Sequence, residues 1–306
     1  MRCGWCWLAR RREACQYHAV IYESRALDED DCGAIAALEE RVVAADGGRL
    51  KLEWPTLRRR SGERVEDLLW WGTQELLGFL GLYWFGGPLE LAGMVDPKVR
   101  RRGIGSALLG RAFDLAVDRG LDEALLVVPR ARARGRLFAE KLGGALDHSE
   151  HHMELQGALQ TAAVREGVLV RPVDANDVPT LRRILSDAFG FDKADPVLDR
   201  DDAQLVVEHE NAVVGAIRLS RGNDGTGIYG FAIDRPVRGR GIGREVLRQV
   251  CARELAEGAK RITLEVATDN DRALGLYTAV GFVRLATEDY FRFATDAVQR
   301  RGHLGP

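Results

Sequence analysis

The feature that most constrains this chain is that it is written twice. Gly103 and Gly241 lie 138 positions apart, and the same gap separates Asp96 from Asp234, Val99 from Val237, Arg100 from Arg238, Gly120 from Gly258 and Gly143 from Gly281. Between 93–109 and 231–247, eight of 17 aligned residues are identical without a gap. A constant offset of this kind means two copies of one unit, each with its own core. The 306 residues and a hydrophobic content of 46% suffice for two such cores.

Each copy reads as the same succession of strands and helices. In the first, Ala19–Arg25 is a short strand, and an amphipathic helix follows from about Glu29, with Ile35, Leu38 and Val42 on one face. Leu68–Trp71 and Leu76–Phe85 are apolar runs around a polar Gln74-Glu75 turn, the pattern of a hairpin. A strand ends near Asp96 and leads through a glycine-rich turn into a helix over Ser106–Asp118, and Ala124–Val128 is the next strand. The second copy repeats the series from Val168, through Leu205–Leu219, Gly227–Ile233, Arg244–Glu257 and Arg261–Val266. The expected class is α/β (α+β). The repeat sets expected boundaries at 1–18 for an N-terminal extension, 19–157 for a first domain, 158–167 for a linker, 168–294 for a second domain and 295–306 for a tail.

The chemistry concentrates where a strand meets a helix. Arg238-Gly239-Arg240-Gly241-Ile242-Gly243, followed by Arg244, ends one strand and opens one helix. Glycines let the backbone turn without Cβ obstruction, so that successive N–H groups converge on an anion at the positive end of the helix. Two other phosphate loops are excluded by their residues. The Walker pattern needs Gly-Lys-Ser or Gly-Lys-Thr, which is absent, and Val246 stands where the dinucleotide fingerprint requires its last glycine.

Arg238, Gly241 and Gly243, like Arg100, Gly103 and Gly105 in the first copy, resemble the pyrophosphate loop of the GCN5-related N-acetyltransferase (GNAT) family, and the likeness spans nearly all of the chain beyond Ala19. The resemblance implies two tandem GNAT domains, each a mixed, mostly antiparallel sheet splayed at its centre and flanked by helices. It implies acetyl-CoA as co-substrate, with Phe231, Ala232 and Ile233 pairing the pantetheine amides and residues 238–244 holding the diphosphate. Leu264–Asn270 and Ala273–Phe282 resemble the family's closing motif more specifically, which assigns Asn270 to a coenzyme contact and Tyr277 to the departing sulfur. A phenol can hand a proton to a leaving thiolate, whereas a phenylalanine there could not. The first copy has Arg132 opposite Asn270, Ala139 opposite Tyr277 and Val127 opposite Glu265, so the C-terminal domain is expected to be the catalytic one. Glu265, on the strand beside the thioester position, is the candidate general base; Tyr229, Asp224 and Tyr290 are its rivals.

The implied activity is N-acetyl transfer to a primary amine, on a small molecule or a peptide, by direct attack. The alternative is a protein that binds or senses acyl-CoA without turnover. With 44 basic and 46 acidic side chains, the net charge of −2 offers no broad attraction for nucleic acid or an anionic membrane. Without a long apolar run, the chain is expected to be cytoplasmic. Cys3, Cys6, Cys15 and His18 have paired spacing suited to a tetrahedral structural zinc, set against an unstructured extension. Cys32 and Cys251 fall in helical stretches as small buried residues. His148, His151 and His152 lack neighbouring ligands and read as solvated or packed, with His151 and His152 on opposite faces of a strand.

Overall fold

The structure is a computed structural model and describes residues 21–85, 87–157, 159, 167–190, 202–222 and 225–295. In chain order the elements are β1 (Ile21–Ser24), α1 (Glu29–Asp46), α2 (Trp54–Arg58), β2 (Asp67–Trp71), β3 (Leu76–Tyr83), β4 (Leu89–Val95), α3 (Ile104–Asp118), β5 (Glu123–Pro129), α4 (Ala133–Lys141) and β6 (Ala145–Leu155). The second half continues with β7 (Val168–Pro172), α5 (Val178–Phe189), β8 (Asp202–His209), β9 (Ala212–Gly222), β10 (Gly225–Ile233), α6 (Ile242–Ala256), β11 (Ile262–Ala267), α7 (Asp271–Val280) and β12 (Phe282–Ala294). Two compact units result: Met1–Asp147 with Glu288–Pro306, and His148–Thr287.

Local chemistry accounts for the elements. Asp28 caps α1 by accepting from Asp31 N at 2.7 Å, and Gly47, at φ +71, ends the helix. The buried Ile35, Leu38 and Val42 give α1 its inward face. β8 and β9 are joined by Glu210 and Asn211 at φ +51 and +62, the paired left-handed conformation of a tight hairpin. Short polar Asn tolerates it at little cost.

Each unit stacks helices on both faces of its sheet. In the first, Leu80, Leu82, Leu89 and Leu91 pack with Leu108, Leu109, Ala112 and Phe113 of α3. The opposite face carries Phe79, Ala92 and Met94 against Ile35, Leu38 and Val42 of α1. In the second, Leu205, Ile217, Leu219 and Ile228 meet Val246, Leu247 and Val250 of α6, and Val206, Ala216 and Ala232 meet Leu181, Ile184 and Leu185 of α5. Each such aliphatic side chain contributes about 1.5–3 kcal/mol on burial.

The repeat boundaries 19–157 and 168–294 and the compact units differ at one element each. β6 does not complete the sheet of the copy it ends: from Glu150 to Glu154 it pairs antiparallel with β11 in the second unit. In turn, Glu288–Ala294 of β12 pair with β5 in the first unit. β5 and β11 each need an antiparallel partner on the side away from their parallel neighbour, and each takes the last strand of the other copy.

Candidate active site

In the second unit the sheet opens at one place. β10 and β11 run parallel and share the rungs Thr226↔Ile262, Gly227↔Thr263 and Ile228↔Leu264. Past Ile228 the strands part and β10 bulges: Tyr229 faces Arg218 of β9, but the next rung joins Ala232 to Ala216, so one extra residue is absorbed. Gly230 takes up the bulge at φ +53, a value a Cβ disfavours. Ala232 and Ile233 are paired to β9, and the stretch Phe231–Ile233 shares no rung with β11. An extended molecule carrying amides can supply the missing rungs.

β10 ends in a turn over Arg235–Val237. Arg238 follows in extended backbone, then Gly239 at φ +82 and Gly241 at φ +81, and α6 begins at Ile242. Left-handed residues alternating with ordinary ones aim successive N–H groups into one concavity, to which the 15-residue helix adds its positive end. A Cβ on Gly239 would meet only the Arg272 guanidinium, at 3.8 Å, so glycine is required there for its backbone angle. Gly243 is the reverse case. A Cβ there would stand 3.3 Å from Leu276 and 3.6 Å from Phe231, so the start of α6 is seated against α7 and β10. Arg238 Nε donates to Ile233 O at 2.6 Å, which ties the turn to the strand end. Arg240, Arg244 and Arg272 are exposed around the turn. Cradle, dipole and cationic collar together fit a diphosphate.

α7 supplies the next two groups. Asn270 Oδ1 caps that helix by accepting from Ala273 N at 3.1 Å. Tyr277 packs edge-on to Phe282, with ring centroids 6.1 Å apart, inside the cluster that holds Ile228, Leu264 and Val266. Burial pushes its phenol up to about 12, so the O–H stays a donor throughout the physiological range. Strand alternation then decides where Glu265 lies. Leu264 and Val266 face Tyr277's cluster, so Glu265 belongs to the other face, level with His152 of β6 in the pairing register. His152 Nδ1 is 3.9 Å from Glu265 Oε1. On β10 and β9, Tyr229 shares that side, with the Arg218 guanidinium 5.6 Å from its ring centroid.

Several sequence expectations fall elsewhere. Tyr290 belongs to the first unit, where Lys51 Nζ donates to its hydroxyl. Asp224, Cys3, Cys6, Cys15 and His18 lie outside the described residues. Among the described residues, no group of three or more His, Cys, Asp or Glu side chains could hold a metal ion, and no helix is long and apolar enough to cross a membrane. His148–His152 do form a strand, with His151 and His152 both buried; His151 Nδ1 lies 2.9 Å from Thr287 Oγ1. The sequence reading took His152 as a solvated or packed residue and missed its approach to Glu265, which is remote along the chain with no spacing to signal the pair.

The first unit keeps the outline and changes the contents. β4 and β5 share three rungs, Leu89↔Ala124 to Leu91↔Leu126, but β4 pairs with β3 from Gly78↔Val95 to Tyr83↔Glu90 without a bulge. Arg101 is forced to φ +66 where the second unit has Gly239. Arg100 repeats the tie, Nε to Val95 O at 3.0 Å, and then forks onto Asp46 at 2.8 and 2.7 Å. Arg132, opposite Asn270, reaches from the β5 side to Gly47 O at 2.7 Å and to Asp46 at 3.4 Å. The Arg100 hydrogen bonds hold the Asp46 carboxyl below the usual carboxylate range. An ionic bridge thus spans the strand split in the first unit, and Ala139 lies buried at the position of the phenol.

A sheet split beside an anion-cradling helix start is the architecture of an acyl-CoA transferase. The model of the acetyltransferase (GNAT) family matches residues 36–143 and again 175–282. The chain belongs to this family, as a tandem member, and is an acyltransferase enzyme of the acetyl-CoA-using kind. A mycothiol acetyltransferase of Actinosynnema mirum is 28% identical over 283 residues, covering 85% of this chain and 94% of that protein. The N-alpha-acetyltransferase RimI of Mycobacterium tuberculosis is 40% identical over 80 residues, covering 26% of this chain and 49% of that protein. Among solved structures, a GCN5-related N-acetyltransferase from Sphaerobacter thermophilus superposes with a TM-score of 0.72 at 20% identity, covering 90% of this chain and 96% of that one. A tandem GNAT protein from the clavulanic acid biosynthesis pathway gives 0.66 at 18%, covering 91% and 99%. These two likenesses describe the fold.

Proposed function

We propose that the second unit moves the acetyl group of acetyl-CoA to a primary amine by direct attack, and that the first unit supports the fold without turnover. The observation that carries the reading is the asymmetry around one split. In the second unit the bulged edge of β10, the cradle at 239–241 and Tyr277 occur together; in the first, a straight β4, an arginine bridge and Ala139 stand at the corresponding places.

The chemistry follows from the two faces. Loop amides at 238–244 hold the diphosphate, and the β10 edge orients the pantetheine so that the thioester enters the split. The amine nitrogen attacks the carbonyl carbon from the Glu265 face. Glu265 takes the proton released from nitrogen, the carbon–sulfur bond breaks toward the opposite face, and Tyr277 offers its O–H to the departing sulfur. Addition to the carbonyl gives a tetrahedral intermediate, the Tyr277 phenolate regains its proton from solvent after thiol leaves, and no acyl-enzyme is needed. Holding the two reactants in one cleft contributes beyond these proton transfers.

The acceptor is a primary amine on a small molecule or a peptide. Full-length likeness to proteins named mycothiol acetyltransferases favours a small molecule, and the shorter likeness to an N-alpha-acetyltransferase keeps a peptide terminus in the panel. The test is thiol release from acetyl-CoA with a panel of both kinds. Wild type turns over at least one amine. Tyr277→Phe lowers kcat about 10²–10³-fold while calorimetric binding of coenzyme A stays within about twofold, and Arg100→Ala leaves transfer intact. Binding without thiol release for every amine would instead make the chain an acyl-CoA sensor.

A further inference from the structure

The strand exchange brings titratable side chains into the second unit that the repeat does not assign to it, His152 among them. β6 is the last strand of the first copy, and its rung Glu265↔His152 places an imidazole level with the candidate base. His152 is 5% exposed and the Glu265 side chain 18%, so bulk water screens the pair only weakly. At 3.9 Å the two groups stand one small side-chain rotation from a hydrogen bond.

We propose that His152 is a positioning residue for Glu265: its ring fixes the carboxylate on the amine side of the β10–β11 split, so that residues of both copies build one active site. The inference rests on the reading of the second unit as catalytic. Other charged or titratable groups on this side of the sheet are Tyr229 on β10, Arg218 on β9, and Glu150 and Glu154 on β6; Glu154 is engaged by Arg261 at 2.8 Å. Arg218 is drawn to the Tyr229 ring, and β6 alternation sets Glu150 and Glu154 one rung-pair either side of His152. His152 is therefore the basic group whose backbone stands directly opposite Glu265.

In the direct-attack step the attacking nitrogen loses its proton to Glu265, and the carboxylic acid returns it to solvent after product leaves. His152 forms and breaks no bond to substrate. Its contribution is to keep one carboxylate oxygen occupied, so that the other faces the amine. A carboxylate left free to rotate spends less time in reach, which lowers kcat and leaves coenzyme binding alone.

The experiment uses the full chain. His152→Leu is expected to lower kcat about 10–100-fold with the acetyl-CoA KM within about twofold, and to displace the acid limb of the pH–rate profile. His152→Asn, which keeps an N–H near the Nδ1 position, recovers most of the rate. In a double-mutant cycle, His152→Leu adds little to Glu265→Gln. An unchanged kcat, equal losses in the leucine and asparagine variants, or additive losses in the cycle would overturn the inference. NMR titration of the His152 ring gives a readout independent of turnover: Glu265→Gln moves its midpoint to lower pH, and an unmoved midpoint overturns the inference as well. A wild type that releases no thiol fails the functional reading alone, because the titration still reports on the pair.

Discussion

Tyr277 is a buried hydroxyl that bears on stability and, in the proposed reaction, on chemistry. Burial pushes its phenol up to about 12, and Cys251 in α6 is likewise pushed up to about 12 from 9.0 by burial. Both groups fold as neutral species and ionise earlier in the unfolded chain, so the unfolded state binds fewer protons above about pH 9. Their contribution is complete below about pH 9–10 and is lost as pH rises toward about 12. Urea midpoints measured from pH 8 to 11.5 therefore fall, and they fall less steeply in a Tyr277→Phe, Cys251→Ala double variant; equal slopes would show that neither group ionises on unfolding. Arg101 supplies a second residue-scale test. It holds φ +66 where Gly239 holds φ +82, and a Cβ in that region costs about 1–2 kcal/mol. Arg101→Gly should raise the unfolding free energy of the first unit by roughly 0.5–1 kcal/mol after the extra chain entropy of glycine is subtracted. A drop in the chemical-denaturation midpoint would mean that the arginine side chain more than offsets its strain.

Elements were legible where their signal is local. The spacing of Ile35, Leu38 and Val42 specifies α1 because a helix has one buried stripe, and the glycines at 239 and 241 announce the cradle because few other residues adopt its angles. α2 escaped notice, since five residues opened by Trp54-Pro55 carry no period. The bulge in β10 escaped as well: Gly230 sits in a run that alternates like any strand, and only the rungs on β9 show that one residue is extra. That bulge is what separates the two splits at the level of whole strands. Removing Gly230 should let β10 pair with β9 rung for rung, as β4 does with β3. The edge proposed to hold pantetheine then realigns, and acetyl-CoA affinity falls at least about tenfold, roughly 1.4 kcal/mol, with the far-ultraviolet dichroism retained. Unaltered affinity would mean that the cradle alone carries binding.

At the scale of the molecule, the repeat announces two units but not which strands complete them. Residues 145–155 and 282–294 alternate in polarity along much of their length, and nothing in that alternation names β11 or β5 as partner. A strand's pattern encodes which face is buried, while its neighbour is chosen by the edge it can reach. The physical consequence is an asymmetry between fragments. The second unit is one continuous stretch, His148–Thr287, whereas the first is closed by a segment 140 residues further along, Glu288 onward. A fragment of residues 148–287 keeps β6 on β11 and Met153 in the core with Leu264, and should bind coenzyme A. A fragment of residues 168–294, cut at the ends of the repeat, exposes the β11 edge and loses Met153. It should aggregate or bind at least about tenfold more weakly, because an unpaired central strand is both unsatisfied and sticky. Truncation after Thr287 has the opposite effect. It strips β12 from β5 and removes Tyr290, Phe291 and Phe293 from the first unit's core, so the first unit should lose its cooperative unfolding transition while coenzyme A binding by the second survives. If instead 168–294 binds as well as 148–287, the exchanged strand is dispensable to the site, and the dependence of Glu265 on His152 fails with it.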